Sequence, residues 1–360
     1  GGSTLEVGRG VGVGSPVVRR GSGARRPRRA RTTPSSRSGR VRMMRPMPIP
    51  FRWDLAIPDS LGQLREGPTA PIYPEFLDNL LRLCARTMAL ASDADLVFVG
   101  RSPESLFDHL SGLLNDTSWR ERLHLLQFSM RREAVTSVRA TYPGAESAMR
   151  SYFAKLALDP LSLLRRAHPV AFVDLVGSGS TFGHLVEFLW TWAKDVRADW
   201  DSVRGKLLLR GITPEEKTSP NTWRWQQHAS WVPERISLRS IKNVSAPWRL
   251  WDYLGNWQQK TTRSYHPARW GDPRVRRPSR ESKSLEALRL ANALHQLGRC
   301  RARREAFLSR LVGLVAMKET WYRRLTGELR SHLGHLGGGT DTSEWLGPGT
   351  PASVRRRGSD

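Results

Sequence analysis

Between residues 74 and 215 the apolar positions alternate between two rhythms. Leu77, Leu80, Leu81, Cys84 and Met88 recur at three- and four-residue spacing, which predicts a helix over 74–90. Asp95-Leu96-Val97-Phe98-Val99-Gly100 is a short continuous apolar run closed by glycine, the pattern of a strand covered on both faces. Ser102-Pro103-Glu104 then offers an N-cap, a proline at the first helical position and an acid in the first turn, with Leu106, Leu110 and Leu113 on one side of the predicted helix. A second strand is predicted over 123–128, closed by Met130-Arg131-Arg132. Residues 133–144 carry turn formers without a period and predict a loop. Helical patterns follow at 145–158 and 161–166. The clearest strand is 170–176, and after it come a small-residue run at 177–181, a helix over 182–196 and a strand over 206–209.

Strands alternating with helices predict an α/β fold: a parallel sheet with helices on both faces, spanning about 47–215. Such sheets take ligands outside the carboxyl ends of their strands. The segment 216–332 reads differently. Trp223, Trp225, Trp231, Trp248, Trp251, Trp257 and Trp270 cluster among few aliphatics, and helical patterns follow near 284–297 and 303–329. That pattern predicts a mainly helical, Trp-rich cap or appended domain, with the tryptophans chiefly forming its small core.

Composition changes this picture at the ends. Apolar residues make up 39% of the 360 and mean hydropathy is −0.48, so part of the chain is expected not to fold. Residues 1–46 hold twelve Arg and one acid, Glu6, and are expected to be a disordered basic tail, with a natural start near Met43. Residues 333–360, opening on a Gly run, are expected to be a second disordered tail. Two cysteines, Cys84 and Cys300, argue against a disulfide framework and a cysteine zinc site, and fit a reducing, cytoplasmic compartment. No apolar run reaches the length of about 18 residues that a membrane helix needs. The nine His show no ligand spacing, so no metal-binding residues are assigned.

The net charge of +25 is uneven. The tail contributes +11, and the segment 260–310, which opens on Lys260 and closes on Arg310, contributes +10. This segment is a candidate surface for a nucleic-acid backbone. With eight Lys among 58 basic residues, a solvated Arg-rich helix face in an Arg-biased chain is the alternative.

The chemistry concentrates at 170–181. A buried strand presents Asp174 near its C-terminal end, then Gly177, Ser178, Gly179, Ser180 and Thr181 lead into a helix. Small residues let backbone N–H groups approach a phosphate, hydroxyls add donors, and the helix N-terminus favours the anion. An Asp there accepts hydrogen bonds from ribose hydroxyls.

Val173-Asp174-Leu175-Val176-Gly177-Ser178-Gly179-Ser180-Thr181 resembles the phosphoribosyl-diphosphate (PRPP) loop of the type I phosphoribosyltransferases. Asp174 matches the second of that family's paired acids, Ser178 to Thr181 match the loop that holds the 5′-phosphate, and Val173 stands where the family has its first acid. The resemblance implies a diphosphate loop after an early strand, where Gly100, Arg101 and Ser102 lie. It also implies a basic residue before a catalytic loop, where Arg131 and Arg132 precede 133–144. It further implies Mg²⁺ accompanying the bound diphosphate, Asp174 and Arg101 as the catalytic residues, and a role in nucleotide metabolism. Trp223 and Trp225 are candidates for stacking on a base or acceptor.

Other readings of the loop stay open. Asp-x-x-Gly-x-Gly is also a methyltransferase pattern for S-adenosylmethionine, although Thr181 stands at the third glycine and two strand–helix units precede it. A relative that keeps the fold and binds nucleic acid as a regulator is another. A Gly/Ser turn between strand and helix also needs no ligand. A P-loop and a Gly-x-Ser-x-Gly elbow are excluded by their absence.

Overall fold

The computed structural model describes residues 52–55, 58–130, 135–215, 224–270 and 278–333. The first expected tail, residues 334–360 of the second, Arg131 and Trp223 lie outside the described residues, while Leu333 closes the last helix.

Five strands form one parallel sheet: β1 (Asp95–Val99), β2 (Leu123–Leu126), β3 (Val170–Leu175), β4 (Leu207–Pro214) and β5 (Ile241–Ala246), in the order β2-β1-β3-β4-β5. The helices in chain order are α1 (Phe76–Ala91), α2 (Glu104–Leu113), α3 (Val135–Thr141), α4 (Ala145–Lys155), α5 (Pro160–Arg165), α6 (Ser180–Asp195), α7 (Trp200–Gly205), α8 (Trp231–Arg235), α9 (Trp248–Asp252), α10 (Ser282–Arg299), α11 (Arg301–Val312) and α12 (Thr320–Leu333). The sheet has helices on both faces because its central strands are apolar at nearly every position. In β3, Ala171 and Val173 face a core shared with α1, α2, α10, α11 and α12, while Val170 and Phe172 face a second core shared with α4, α5, α6 and α8. The period of two thus feeds two separate apolar layers, each fully buried aromatic or aliphatic side chain contributing roughly 1.5–3 kcal/mol.

Three elements differ from the sequence expectation. The stretch expected as a loop over 133–144 contains α3. The single helix expected over 303–329 is two, α11 and α12, with Gly313 as the C-cap of the first. The segment 216–332 is not purely helical, since it donates β5, which pairs with β4 from Leu209↔Ile241 to Pro214↔Ala246. The strand Ile-Lys-Asn-Val-Ser-Ala is hard to read because it sits at an edge and exposes Lys242. The described residues on either side of 216 therefore share one sheet.

Several arginines hold the interior together rather than coating it. Arg210, in β4, is 3% exposed and donates to the carbonyls of Leu90 and Ser240, at 2.7 and 2.8 Å, and burial pulls its pKa down to about 10. Arg122 lies 3.9 Å over the Trp119 ring and binds Asp93 and Asp95 at the amino end of the sheet. Arg304, fully buried, donates to Gly112 O and Asp116. Among the described residues no helix is long and apolar enough to cross a membrane.

Candidate functional site

The strand order reverses direction between β1 and β3. The chain leaves β1 for α2 on one face of the sheet and leaves β3 for α6 on the other, so a crevice opens beyond their carboxyl ends. Both loops singled out in the sequence meet there. A cavity of about 760 Å³ is lined by Gly100, Arg101 and Ser102 after β1, Phe128 to Met130 after β2, and Asp174 and Thr181 around the loop after β3. Its remaining wall comes from the second half of the chain and includes Gln258, Lys260, Thr262 and His266. A narrower cleft of about 210 Å³ beside it follows the loop from Asp174 through Phe182, with Ser102, Trp251, Gly255 and Asn256 opposite.

The loop after β3 is shaped by its glycines and by what lies beneath. Gly177 and Ser178 are exposed, Ser180 and Thr181 half-buried, and Gly179 buried. The helix begins at Ser180, two residues earlier than the apolar period indicates, with Gly179 as N-cap at φ 82°. That left-handed conformation costs glycine little, and Ser180, Thr181 and Phe182 of the first turn of α6 line the cleft. Gly100 is likewise left-handed after β1. Its φ is 74°, its N–H donates to Leu126 O at 2.8 Å, and a side chain there would meet Phe128 O at 3.0 Å. Ser102 does not cap α2, whose N-cap is Pro103 without a side-chain bond.

Charge in the cavity is mixed. Burial raises the Asp174 carboxyl well above the usual range, opposed by the Leu175 N–H at 2.8 Å, by Lys260 and by the Thr181 hydroxyl. Burial pulls the Lys260 ammonium down to about 7, against the pull of Glu104 and Asp174. Lys260 Nζ donates to Leu254 O at 2.7 Å and Gln258 Oε1 at 2.8 Å. Arg101 donates to Thr262 O at 3.1 Å and lines the same space. Behind this wall the segment carrying Lys260 is stitched to α2. Thr261 donates to Glu104 at 2.9 Å, Gln258 donates to Ser105, and Arg52 joins Thr261 at 3.2 Å to Asp108 at 2.5 Å.

Two sequence expectations change here. Trp225 is fully buried beneath the loop, with Phe182 at 5.7 Å and Trp231 stacked at 6.0 Å, and its Nε1 donates to Asn243. No indole face is left for a base, because a glycine-shaped loop needs a large flat side chain packed under it. Trp251 is the tryptophan that reaches the cleft, with its Nε1 held by Ile212 O at 3.0 Å and Trp248 stacked on it at 5.4 Å. Lys260, read in the sequence only as the start of a basic run, is a wall residue of the cavity. Several other basic residues of that run turn inward or pair. Arg303 donates to Leu77 O, Arg304 is buried on Asp116, Arg289 donates to Leu64 O, and Arg310 pairs with Asp78.

An open depression of about 550 Å³ on the α4–α6 side is lined by Arg139, Tyr142, Glu146, Arg150 and Trp192. Its arginines are engaged by Glu146 and Asp195, so it offers solvent-screened ion pairs rather than a site. Among the described residues no three His, Cys, Asp or Glu gather as metal ligands.

No protein-family model, curated protein or solved structure matches the chain.

Proposed function

We propose that the cavity binds PRPP or a related ribose 5-phosphate group, with the phosphate on the loop from Gly177 to Thr181 and the diphosphate end toward Gly100, Arg101 and Ser102. The observation that carries this reading is the meeting of the two loops in one crevice. They are distant in sequence, they end adjacent parallel strands, and an anion-accepting helix start lies on one side and a cation, Arg101, on the other. Small-molecule sites of α/β sheets are of this size and position.

In this reading the first turn of α6 and the hydroxyls of Ser178, Ser180 and Thr181 anchor the phosphate far from the reacting carbon. Asp174 accepts from the ribose hydroxyls, and Arg101 stabilises charge on the departing diphosphate. Val173, where the resembled family carries an acid, is fully buried against the helices of the α2 face, so ribose recognition rests on Asp174 alone. Among the described residues no cluster of His, Cys, Asp or Glu offers a metal site of the chain's own. A Mg²⁺ ion would enter as part of the substrate, held by diphosphate oxygens and water. The stacking surface for an acceptor is Trp251 rather than Trp225.

Calorimetry with PRPP and Mg²⁺ tests the reading, and no heat at millimolar ligand removes it. Diphosphate release with a panel of bases and amines separates a transferase from a sensor that only binds. Binding of S-adenosylmethionine instead would favour the methyltransferase reading of the same loop. The nucleic-acid reading of 260–310 is the weaker one, since Lys260 faces the cavity and Arg289, Arg303, Arg304 and Arg310 are engaged internally.

A further inference from the structure

Lys260 stands out among the groups of the cavity because its surroundings suit a neutral amine. Its Nζ donates to two acceptors, Leu254 O and Gln258 Oε1. These satisfy the two N–H bonds of an uncharged amine and leave its lone pair for the cavity that the side chain lines. Its carrier segment is fixed on both sides, through Gln258 to Ser105 and through Thr261 to Glu104 and Arg52, so the amine is held in place before any ligand arrives. The titratable groups that face it are Glu104 and Asp108 on α2, Asp174 at the end of β3 and Arg101 on the loop after β1. The three acids favour the ammonium, and burial with Arg101 opposes it; burial is the larger effect. Desolvation beside another cation is a known way to make a lysine nucleophilic near neutral pH.

We propose that Lys260 is the nucleophilic amine of this cavity and captures the carbonyl carbon of a phosphorylated aldehyde, of the open-chain aldose phosphate class, as an imine. The placement of the ligand rests on the reading of the Gly177–Thr181 loop as a phosphate site. The Nζ lone pair forms the C–N bond while the carbonyl π pair moves to oxygen, which takes up the proton that the now cationic nitrogen releases. The carbinolamine then loses its hydroxyl as water, using the proton of the Asp174 carboxyl. The nitrogen gives up its own proton as C=N closes, and that proton restores Asp174. The sum is amine plus aldehyde giving imine plus water. Asp174 suits this step because burial favours its protonated form.

The test uses pyridoxal 5′-phosphate as an aldehyde probe, reduction with borohydride, and peptide mapping of the full chain. The expected result is preferential labelling of Lys260 over the exposed Lys194 and Lys242, half-maximal in rate near pH 7, and at least tenfold faster than with pyridoxal, which lacks the phosphate. Ribose 5-phosphate should slow it. Lys260→Met, which keeps the length of the side chain without a charge, should lose the label at that position, and mapping the parent chain keeps the test valid if that variant fails to fold. Labelling of Lys194 and Lys242 with Lys260 untouched, or labelling of Lys260 only above pH 9.5, overturns the proposal. Equal rates with pyridoxal and its phosphate would uphold the amine and overturn the loop as the phosphate site. PRPP binding by calorimetry with an unlabelled Lys260 would uphold the loop and overturn the amine.

Discussion

A Cβ on Gly179 would stand 2.3 Å from Cε3 of Trp225, so the loop that leads into α6 and the indole beneath it are fitted without room for one methyl group. The relationship makes the loop's shape a property of the core. Trp225 cannot retreat, because Phe182 and Trp231 flank its ring and Asn243, in β5, holds its Nε1.

Gly179→Ala should therefore be costly. It adds a clash with a buried ring to a left-handed backbone at φ 82°. Overpacking and the backbone term together are worth about 3 kcal/mol, or roughly 6–12 °C in melting temperature for a domain of this class. Gly177→Ala, with nothing within 4 Å of the added carbon, should melt with the parent. Thermal unfolding of the two variants decides it, and equal melting temperatures would sink the fitted-loop account.

Thr181→Val tests the chemistry of the loop rather than its shape. It removes a hydroxyl that both serves the proposed phosphate and opposes the upward shift of Asp174. A lost hydrogen bond to a charged group is worth about 1.5–3 kcal/mol, so PRPP affinity should fall roughly ten- to a hundredfold. Asp174→Asn should act on stability through pH. The carboxyl's folded pKa is raised, so the stability it contributes is present below its ordinary pKa and is lost as pH rises. The variant has no such loss, and its melting temperature should gain on the parent's from pH 4 to pH 8. A gain that is flat across this range would show Asp174 to be solvated.

What the sequence made legible follows from where the physics is local. The runs of β1 and β3 are apolar at nearly every position, and the glycines that follow them mark both loops of the crevice. β5 was illegible because an edge strand with Lys242 and Asn243 carries no such run, and its identity depends on pairing with β4. The role of Trp225 was misread for a related reason. Nothing within four residues of it says that Gly179 and Gly211, both distant in sequence, leave a space that only a large flat ring fills. Lys260 could not be told from the arginines around it, since its depressed pKa arises from burial supplied by other elements.

Arg52 and Asp108 form a pair with side chains 1% and 2% exposed, and removing one partner strands the other. Arg52→Met should destabilise by about 3–5 kcal/mol at neutral pH. Burial holds the Asp108 carboxyl up at about 6 even with Arg52 beside it. Its ionisation already costs stability as pH rises from its ordinary pKa toward 6, and without Arg52 the folded value climbs further. The melting difference between variant and parent should thus be larger at pH 8 than at pH 5. A difference independent of pH would mean that Asp108 finds another cation.

The helix α2 offers the most stringent test of packing. It is buried along its whole length, and it crosses α10 where both helices are reduced to glycine. A Cβ on Gly112 would lie 2.0 Å from His295 O, and one on Gly298 would lie 2.6 Å from His109 O. The contacting atoms are backbone, so no side chain can swing aside, and His109 Nδ1 is bonded to Leu294 O at 2.9 Å across the same crossing. Gly112→Ala must push the helices apart and should cost at least the upper range of overpacking, about 3 kcal/mol, despite alanine's better helix propensity. Because α2 also carries Glu104 and Ser105, which anchor the Lys260 segment, the same change should loosen the cavity wall and slow labelling of Lys260 by an aldehyde phosphate. Gly327→Ala, at an exposed position of α12 with nothing within 4 Å, isolates the propensity effect and should stabilise by about 0.5–1 kcal/mol. Denaturant titrations of both variants measure the opposite signs. If Gly112→Ala were as stable as the parent, the helices would not meet backbone to backbone, and the tie between this crossing and the cavity would fall with it.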